Sequence, residues 1–356
     1  MPINTRAELH EHIIEAICIE LTAFPAYLYA MFSIEDRASE PVKIFKSVAA
    51  EEMLHTILWM NILLATGGDF KFCSPFPSFP IDIVHRQPHL TVNLEPYSKE
   101  VVERVFLAIE EPAHDGGPVD PDVWETQGQF FAAIWDAMIE LNKTENLFDN
   151  PQLDRQFVDP HGYMAPKYDH GDSGGLVLIT DLESAHQAMD TIVHQGEGLS
   201  HDRYADEGHA ELTHYVKFQE LPHEDILHRG VRPAVINPTV ATLPEHVRPV
   251  AEFSDAIVTY LYLVMDRLLS PKVEEHHHQV GFLYGGMVAL LAPVGRYLMT
   301  LDIGDGKVAG PPFGYYAFDE GSSPETQLRA MGAALAQEHP DLQVAIDMLE
   351  RLPQDH

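Results

Sequence analysis

Six glutamate and histidine residues occur in two copies of one pattern, a lone glutamate followed later by a Glu-x-x-His pair. They are Glu20, Glu52 and His55 in the first copy, and Glu197, Glu211 and His214 in the second. Residues three positions apart project from the same face of a helix, so both ligands of each pair could reach one pair of metal ions. Four carboxylates and two imidazoles from helices are the donor set of di-iron and di-manganese sites in helical bundles. These donors suit iron or manganese better than metals that prefer sulfur. The pattern predicts a di-metal centre.

The Glu-x-x-His spacing is weak evidence by itself. The sequence contains seven such pairs, whereas its composition predicts about two by chance. Two of the other five contain a proline and belong to loops or helix ends. Two more lie in the charged cluster at 274–278, and one occupies the first turn of a helix beginning near residue 182. Exposure to solvent therefore explains the side chains of these five pairs better than metal binding does.

The pairs at 52 and 211 differ because they continue apolar stripes. The stripe on the second helix reads Phe45, Val48, Glu52, His55, Trp59 and Ile62. Glu20 lies in the same way between Ile17 and Phe24. Burying such groups unpaired would cost several kcal/mol, and a metal cluster would remove that cost. Hydrogen-bonded histidines and solvated glutamates could explain any one of the six residues, but they explain all six together poorly.

Helical periodicity extends over most of the chain and identifies the elements that must position these residues. It predicts helices at about 4–33, 41–66, 99–110, 128–141, 181–196, 207–218, 251–269 and 275–301, followed by two short tail helices. Proline-rich and glycine-rich segments at 69–97 and 142–180 lack a helical period. The sequence predicts an all-α bundle, residues 1–302, with an irregular insertion over 69–180. Residues 303–356 are predicted to form a C-terminal extension packed on the bundle.

Composition limits the classes of partner. The chain has 356 residues, 45% of them hydrophobic, and a formal net charge of −33 that repels nucleic acids and anionic lipids. Two cysteines cannot form a disulfide framework, which fits a reducing compartment. No signal peptide is visible, and glycine and proline interrupt the longest uncharged run, 279–295. We expect a soluble cytoplasmic protein that binds neither nucleic acid nor membrane.

Short sequence motifs around these residues add a family resemblance. The first half contains Pro25-Ala26-Tyr27-Leu28 after Glu20, Ala50 to His55, and Gly67-Gly68. The second contains Gln195 to Gly198, Glu211 to Tyr215 and, near the end, Ala309 to Phe313. Over roughly residues 8–313 the chain resembles the ferritin-like family related to iminophenyl-pyruvate dimer synthase, known from violacein-type and rebeccamycin-type pigment pathways.

The resemblance implies a ferritin-like bundle that holds two iron ions, with manganese or a mixed pair as alternatives. Glu52 and Glu211 would bridge the metals as the catalytic carboxylates. Glu20 and Glu197 would be terminal ligands, and His55 and His214 would each cap one ion.

Three functions remain open. The first is a di-metal oxidoreductase in specialised metabolism that uses dioxygen or peroxide on a small organic, possibly amino-acid-derived, substrate. Coupling of amino-acid-derived imines is a second enzymatic possibility. The third is ferroxidase or metal-storage activity, for which a many-subunit shell is expected; a monomer or homodimer would favour an enzyme. Apart from these three functions, the chain could be a helical scaffold whose site has lost its metal.

Overall fold

The protein is described by a computed structural model. It describes residues 3–74, 76–113, 120–158, 175–196, 212–271, 279, 281–283 and 285–352. The longer helices are α1 (Arg6–Ser33), α2 (Glu40–Ala65), α4 (Gln127–Thr144), α5 (Leu182–Gln195) and α8 (Arg248–Leu268). Helix α3 runs through Lys99–Val101, Val102–Phe106 and Leu107–Ile109; α6 is His214–Gln219 and α7 is His223–Arg229. Helix α9 comprises Met287–Leu291 and Ala292–Leu298, and α10 (Pro324–Leu335) and α11 (Gln343–Leu349) follow. Helices dominate the described residues, as the sequence predicted.

Helices α1 and α2 form the central hairpin. A capping box between Thr5 and Glu8 begins α1, because the threonine hydroxyl and the glutamate carboxylate satisfy backbone amides that have no partner inside the helix. Helix α2 ends at Ala65, and Gly67 follows its C-cap residue with a φ of +88° that favours glycine. Most residues of both helices are buried on every side, which is typical of helices at the centre of a fold.

The other long helices pack around this hairpin in two groups. Helix α4 contacts α1 and α5, and α5 also contacts α2. Helix α8 contacts α9 and α10, while α11 packs on the first part of α9. The chain therefore surrounds the hairpin with helices from the middle and from the C-terminal third. Within the 69–180 stretch that was expected to be an insertion, α4 is part of this packing.

Helix α6 is shorter than the sequence predicted. Thr213 caps its N-terminus, and the two residues before His214 are not helical. The predicted helix 207–218 is thus not continuous through residues 212 and 213, and its first part, 207–211 with Glu211, lies outside the described residues. The threonine hydroxyl accepts from the Val216 amide, an alternative to a further helical turn.

Two helices contain a π-helical turn, Val102–Phe106 in α3 and Met287–Leu291 in α9. Such turns are rare and often lie at functional sites, because the extra residue redirects the side chains that follow. In α3 the turn precedes Glu110, which becomes important below. The periodicity predicted both helices but not their π turns.

The described residues also contain two small antiparallel strand pairs. Strands β1 (Ile81–Asp82) and β2 (Thr91–Val92) pair with each other, as do β3 (Asp302–Gly304) and β4 (Lys307–Val308). The first pair lies in the proline-rich segment 69–97, which lacks a helical period. Neither pair contributes a layer to the fold.

Among the described residues, three helical stretches are long and apolar enough to cross a membrane: Arg6–Ser33, Glu40–Ala65 and Gly281–Leu298. The apolar windows of the first two are 78% and 94% buried inside the protein, and that of the third is 47% buried. For α1 and α2, packing against other helices accounts for the apolar composition. The third stretch includes part of the 279–295 run that the sequence analysis judged too interrupted to span.

Candidate metal centre

Helices α1 and α2 bring three of the predicted ligands together. The Nδ1 atom of His55 lies 3.5 Å from Glu52 Oε2 and 4.0 Å from Glu20 Oε1. Glu52 and His55 share a face of α2 because they are three residues apart, and that face meets Glu20 of α1. All three side chains are at least 98% buried.

His214, the first residue of α6, reaches the same place from the second half of the chain. Its Nδ1 atom lies 3.1 Å from Glu52 Oε1 and 3.4 Å from Oε2 of Glu110, the residue after α3. The imidazole rings of His55 and His214 are stacked 5.4 Å apart. Glu52, His55 and His214 each offer a ligand atom within 4.8 Å of the others. The centre thus contains three carboxylates and two imidazoles.

Several atoms of this centre are buried without a hydrogen-bond partner. They are Glu20 Oε1, Glu52 Oε1 and His214 Nδ1. Glu52 Oε1 and His214 Nδ1 lie 3.1 Å apart, but they do not form a hydrogen bond with each other. Buried polar atoms in proteins nearly always have a partner, so three converging exceptions require an explanation. A cation bound between them would satisfy all three, and the donor set fits iron or manganese.

A buried carboxylate orients His214 from behind. Glu51 Oε2 lies 2.8 Å from His214 Nε2, the ring nitrogen that faces away from the centre. The Lys217 ammonium donates to both oxygens of Glu51 at 2.9 and 3.1 Å, and the Ser47 hydroxyl donates at 2.5 Å. A carboxylate on the distal nitrogen fixes the tautomer and ring orientation of a metal-binding histidine. Glu51 therefore leaves Nδ1 free to act as a ligand.

Two further contacts hold the centre in place. His55 Nε2 lies 3.0 Å from Gln195 Oε1 on α5, so His55 also has its outer nitrogen fixed. The Tyr27 hydroxyl donates to Oε1 of Glu110 in a buried hydrogen bond. Tyr27 also packs edge-on against Phe106 and Phe218. These bonds restrain both the imidazole and the carboxylate.

The buried charges perturb each other strongly. Burial, followed by the charge of Glu52, raises the pKa of Glu20 well above its usual range; burial and the charge of Glu110 raise the pKa of Glu52 to about 7. For His214, burial lowers the pKa, but Glu110 and Glu52 outweigh it and raise the pKa well above 6.5. Burial lowers the pKa of His55. The cluster therefore has an excess of negative charge that protons compensate when no cation is bound.

The structure places four of the six predicted ligands in this centre: Glu20, Glu52, His55 and His214. Glu197 and Glu211 lie outside the described residues. Glu110 was missed because α3 seemed unrelated to the two hairpins. One signal was present: Glu110 lies four residues after buried Phe106 and continues the apolar stripe of α3. Glu51 and Lys217 were also missed, although Lys217 follows His214 by three residues.

Three other residues near the two hairpins have different environments. Tyr27 both donates a hydrogen bond to Glu110 and packs against Phe106 and Phe218. His194 is exposed on α5, and its Nδ1 atom lies 2.7 Å from the carbonyl oxygen of Asp190. Trp59 packs against Phe131 with ring centroids 4.8 Å apart, consistent with a packing role.

A small apolar cavity borders the centre. It is lined by Glu52 and otherwise mainly by apolar residues of α1, α2, α8 and α9, including Phe24, Tyr262 and Met287. Its volume of about 20 Å³ accommodates roughly one water molecule. The carboxylate of Glu52 therefore borders an apolar space on one side and the two histidines on the other.

Comparisons with known proteins agree with this architecture. The family model described as "Ferritin-like" matches residues 13–223, more than half of the chain. A 2-imino-3-(indol-3-yl)propanoate dimerase of Chromobacterium violaceum is 24% identical over 87% of this chain and 34% of its own length. A dichlorochromopyrrolate synthase of Lentzea aerocolonigenes is 25% identical over 88% of this chain and 36% of its own. The chain thus spans about a third of the length of these curated relatives.

A solved structure gives the same fold. The crystal structure of a ferritin-like protein from Caulobacter vibrioides has a TM-score of 0.60 and 21% identity, covering 82% of this chain and 96% of its own. That likeness concerns the fold alone. Together with the family match, it confirms the all-α ferritin-like bundle and the resemblance stated from the sequence. The chain belongs to the ferritin-like family.

Proposed function

We propose that the protein is a metal-dependent oxidoreductase that uses dioxygen or peroxide on a small organic substrate. Its ligands would be Glu20, Glu52, His55, Glu110 and His214. The observation that carries the proposal is the convergence of three buried, unpartnered ligand atoms at one point. Glu197 and Glu211 stay in the proposal as predicted ligands of a two-metal site, with Glu52 and Glu211 as bridging catalytic carboxylates.

Two iron ions bound here, or manganese in their place, would supply electron transfer to dioxygen or peroxide, which amino-acid side chains do not provide. The chain's own residues supply geometry and exclude water. Glu51 and Gln195 fix the outer nitrogens of the two histidines, and Tyr27 holds Glu110. Because the centre is buried, charges there interact more strongly than they would in water.

Imine coupling is the second candidate. Both curated relatives carry names of synthesis or dimerisation reactions, and the first is named for a 2-imino acid bearing an indole. Most of the lining of the small cavity beside Glu52 is hydrocarbon, so an aromatic or apolar substrate that reached this carboxylate would meet an apolar surface. Glu52 is the carboxylate among the described residues that line this cavity, so it is the candidate proton acceptor for this reaction.

Ferroxidase or storage activity is the remaining alternative from the sequence analysis. A hollow assembly of many subunits would favour it, whereas a monomer or the predicted homodimer would favour an enzyme. Sedimentation velocity distinguishes these outcomes directly. The predicted cytoplasmic location is part of the same proposal.

Metal analysis tests the proposal. Protein purified without oxygen is expected to hold about two irons per chain and to develop an oxygen-dependent absorption band. Glu110→Gln should lower the metal content, because it removes a carboxylate oxygen that lies beside His214. Glu111→Gln is the matched control: the adjacent glutamate is partly exposed and lies near Arg86 instead.

The outcomes separate the candidates. A single tightly held zinc, or no metal in the wild type, would contradict the oxidoreductase proposal. Loss of metal in both variants would show that the change at residue 110 acts through folding. Glu197→Gln and Glu211→Gln, measured in the same way, test whether the second half of the predicted ligand set takes part.

A further inference from the structure

A wide cleft with a basic rim opens between α1, α2 and α9. Its volume is about 500 Å³, within the range of small-molecule sites. The apolar floor comprises Phe24, Leu28, Met31, Phe32, Met287 and Val288. Four cationic residues also line it: Arg37, Lys43, Lys46 and Arg296. We call these lining residues the basic cleft.

The charge of the basic cleft is opposite to that of the whole chain. The sequence has 22 lysines and arginines against 55 acidic residues, yet no aspartate or glutamate is among the described residues that line the cleft. Lys43 pairs with Glu40 at 2.9 Å. Arg37, Lys46 and Arg296 form no ion pair with any residue that the structure describes. Three uncompensated cations in one concavity favour an anionic ligand.

Arg296 gives the most specific indication. Its side chain is only 7% exposed, and its Nη1 atom donates to the carbonyl of Ile34 at 3.2 Å. Its Nη2 atom is buried and has no hydrogen-bond partner. The guanidinium lies 5.5 Å from the centroid of the Phe32 ring. A buried cation with an unused donor is costly, and a carboxylate beside the guanidinium would offset that cost.

Arg296 keeps its charge at neutral pH. Burial, followed by the charges of Arg37 and Arg232, lowers its pKa to about 10. Burial and Arg296 also lower the pKa of Lys46. An anion placed among these groups would relieve the repulsion between them.

The basic cleft adjoins the candidate metal centre. Phe24 and Met287 line both the cleft and the small cavity beside Glu52. Ser47 lines the cleft and donates its hydroxyl to Glu51, which in turn contacts His214. A ligand with its anionic end at Arg296 would have its apolar end directed toward the wall shared with the Glu52 cavity.

We propose that the basic cleft binds a small organic carboxylate with an apolar body. Arg296, Lys46 and Arg37 bind the carboxylate, and the apolar body packs against Phe24 and Met287. As the assignment of a substrate class, this inference rests on the proposed function, because the ligand is then the molecule on which the metal centre acts. As the assignment of a binding site, it depends only on the cleft.

Calorimetric titration of the full-length protein tests the cleft. The probes are 3-phenylpropanoate, its neutral analogue 3-phenylpropan-1-ol, and inorganic phosphate at matched ionic strength. The acid is expected to bind at least about tenfold more tightly than the alcohol or phosphate, since hydrogen bonds to charged groups are the strong ones. Lys46→Met and Arg37→Met should each weaken binding of the acid by about tenfold. Both residues are exposed, so these variants should fold.

Two further variants complete the test. Arg296→Met should abolish binding of the acid, but its burial makes it liable to misfold, so the two exposed positions decide the outcome. Lys143→Met is the matched control: this lysine is exposed and pairs with Glu140 on α4, away from the cleft. It should bind the acid as the wild type does.

Metal content is measured on the same samples and separates the two proposals. Carboxylate binding that depends on Lys46 and Arg37 supports the cleft, whether or not the protein contains metal; absence of metal would then overturn only the proposed function. Equal binding of acid and alcohol, binding of phosphate as tight as that of the acid, or binding unaffected by Lys46→Met and Arg37→Met would overturn the cleft proposal.

Discussion

The buried ion pair between Glu51 and Lys217 supports a quantitative prediction about stability. Both side chains are at most 1% exposed, and their charged atoms are 2.9 Å apart. At an effective dielectric constant of about 20, their attraction is about 6 kcal/mol, of which desolvation offsets a large part. Removing one partner leaves a buried charge unpaired, so Glu51→Leu and Lys217→Met should each lower the free energy of unfolding by about 3–5 kcal/mol.

The pKa of Glu51 leads to a similar magnitude by another route. Burial alone would raise it, but the hydrogen bond and charge of His214, with the charge of Lys217, lower it from 4.5 to about 2. A difference of this size corresponds to about 3 kcal/mol. Because the folded pKa is the lower one, this stability is present above pH 4.5 and is lost as the pH falls toward 2.

Urea denaturation of the two single variants and the double variant at pH 7 measures the pair directly. The double variant should be no less stable than Glu51→Leu alone, with an interaction energy of at least about 2 kcal/mol. The exposed pair Glu140–Lys143 is the matched control, for which we expect less than about 0.5 kcal/mol. An interaction energy for the buried pair as small as that of the surface pair would refute the reasoning. Metal content should fall in both variants that lack Glu51, because His214 loses its orienting carboxylate.

Three further predictions follow from other parts of the molecule. Burial, followed by the charge of Asp122, raises the pKa of Glu15 to about 8; since the folded pKa is the higher one, stability falls as the pH rises from 4.5 through 8. Thermal denaturation should therefore find Glu15→Gln more stable than the wild type at pH 9 and no more stable at pH 5, and equal differences at both pH values would contradict this. A Cβ at Gly310 would overlap the Tyr29 hydroxyl, so Gly310→Ala should cost about 1–3 kcal/mol in urea denaturation. Gly281→Ala should cost much less, because no described residue lies within 4 Å of a Cβ there. Chelation should lower the melting temperature of protein that contains metal, because a ligand at a thousand times its Kd stabilises the folded state by about 4 kcal/mol; a melting temperature indifferent to chelator would exclude a metal that stabilises the fold.

Local periodicity was enough to predict most helices of the bundle. The stripe that contains Glu52 and His55 predicted α2 to within a residue at each end, because apolar residues every three or four positions are a property of the helix itself. The same reasoning failed at α6. There the Glu-x-x-His spacing is compatible with a helix, but residues 212 and 213 are not helical, because Thr213 caps the helix that begins at His214.

The spacing of residues along the sequence does not reveal which of them packing brings into the candidate site. Glu110 belongs to a helix that the sequence analysis left unconnected to the ligand hairpins, and a π turn in that helix redirects the residues after it. Its hydrogen bond with Tyr27 joins residues 83 positions apart. The pair of Glu51 and His214 spans 163 positions. Such contacts depend on how helices pack, and a single sequence does not reveal which of its many glutamates the packing brings together.

By itself, the sequence determined the helices, the apolar stripes and the face of α2 that carries Glu52 and His55, since each of these follows from the geometry of one helix. Only the tertiary structure decided that Glu110 joins the centre and that Glu51 and Lys217 form an ion pair beside His214. It also decided that one cleft is lined by three cations with no ion-pair partner among the described residues. The reason is physical: helix geometry acts between residues three or four apart, whereas burial and charge compensation depend on neighbours that folding brings in from anywhere in the chain.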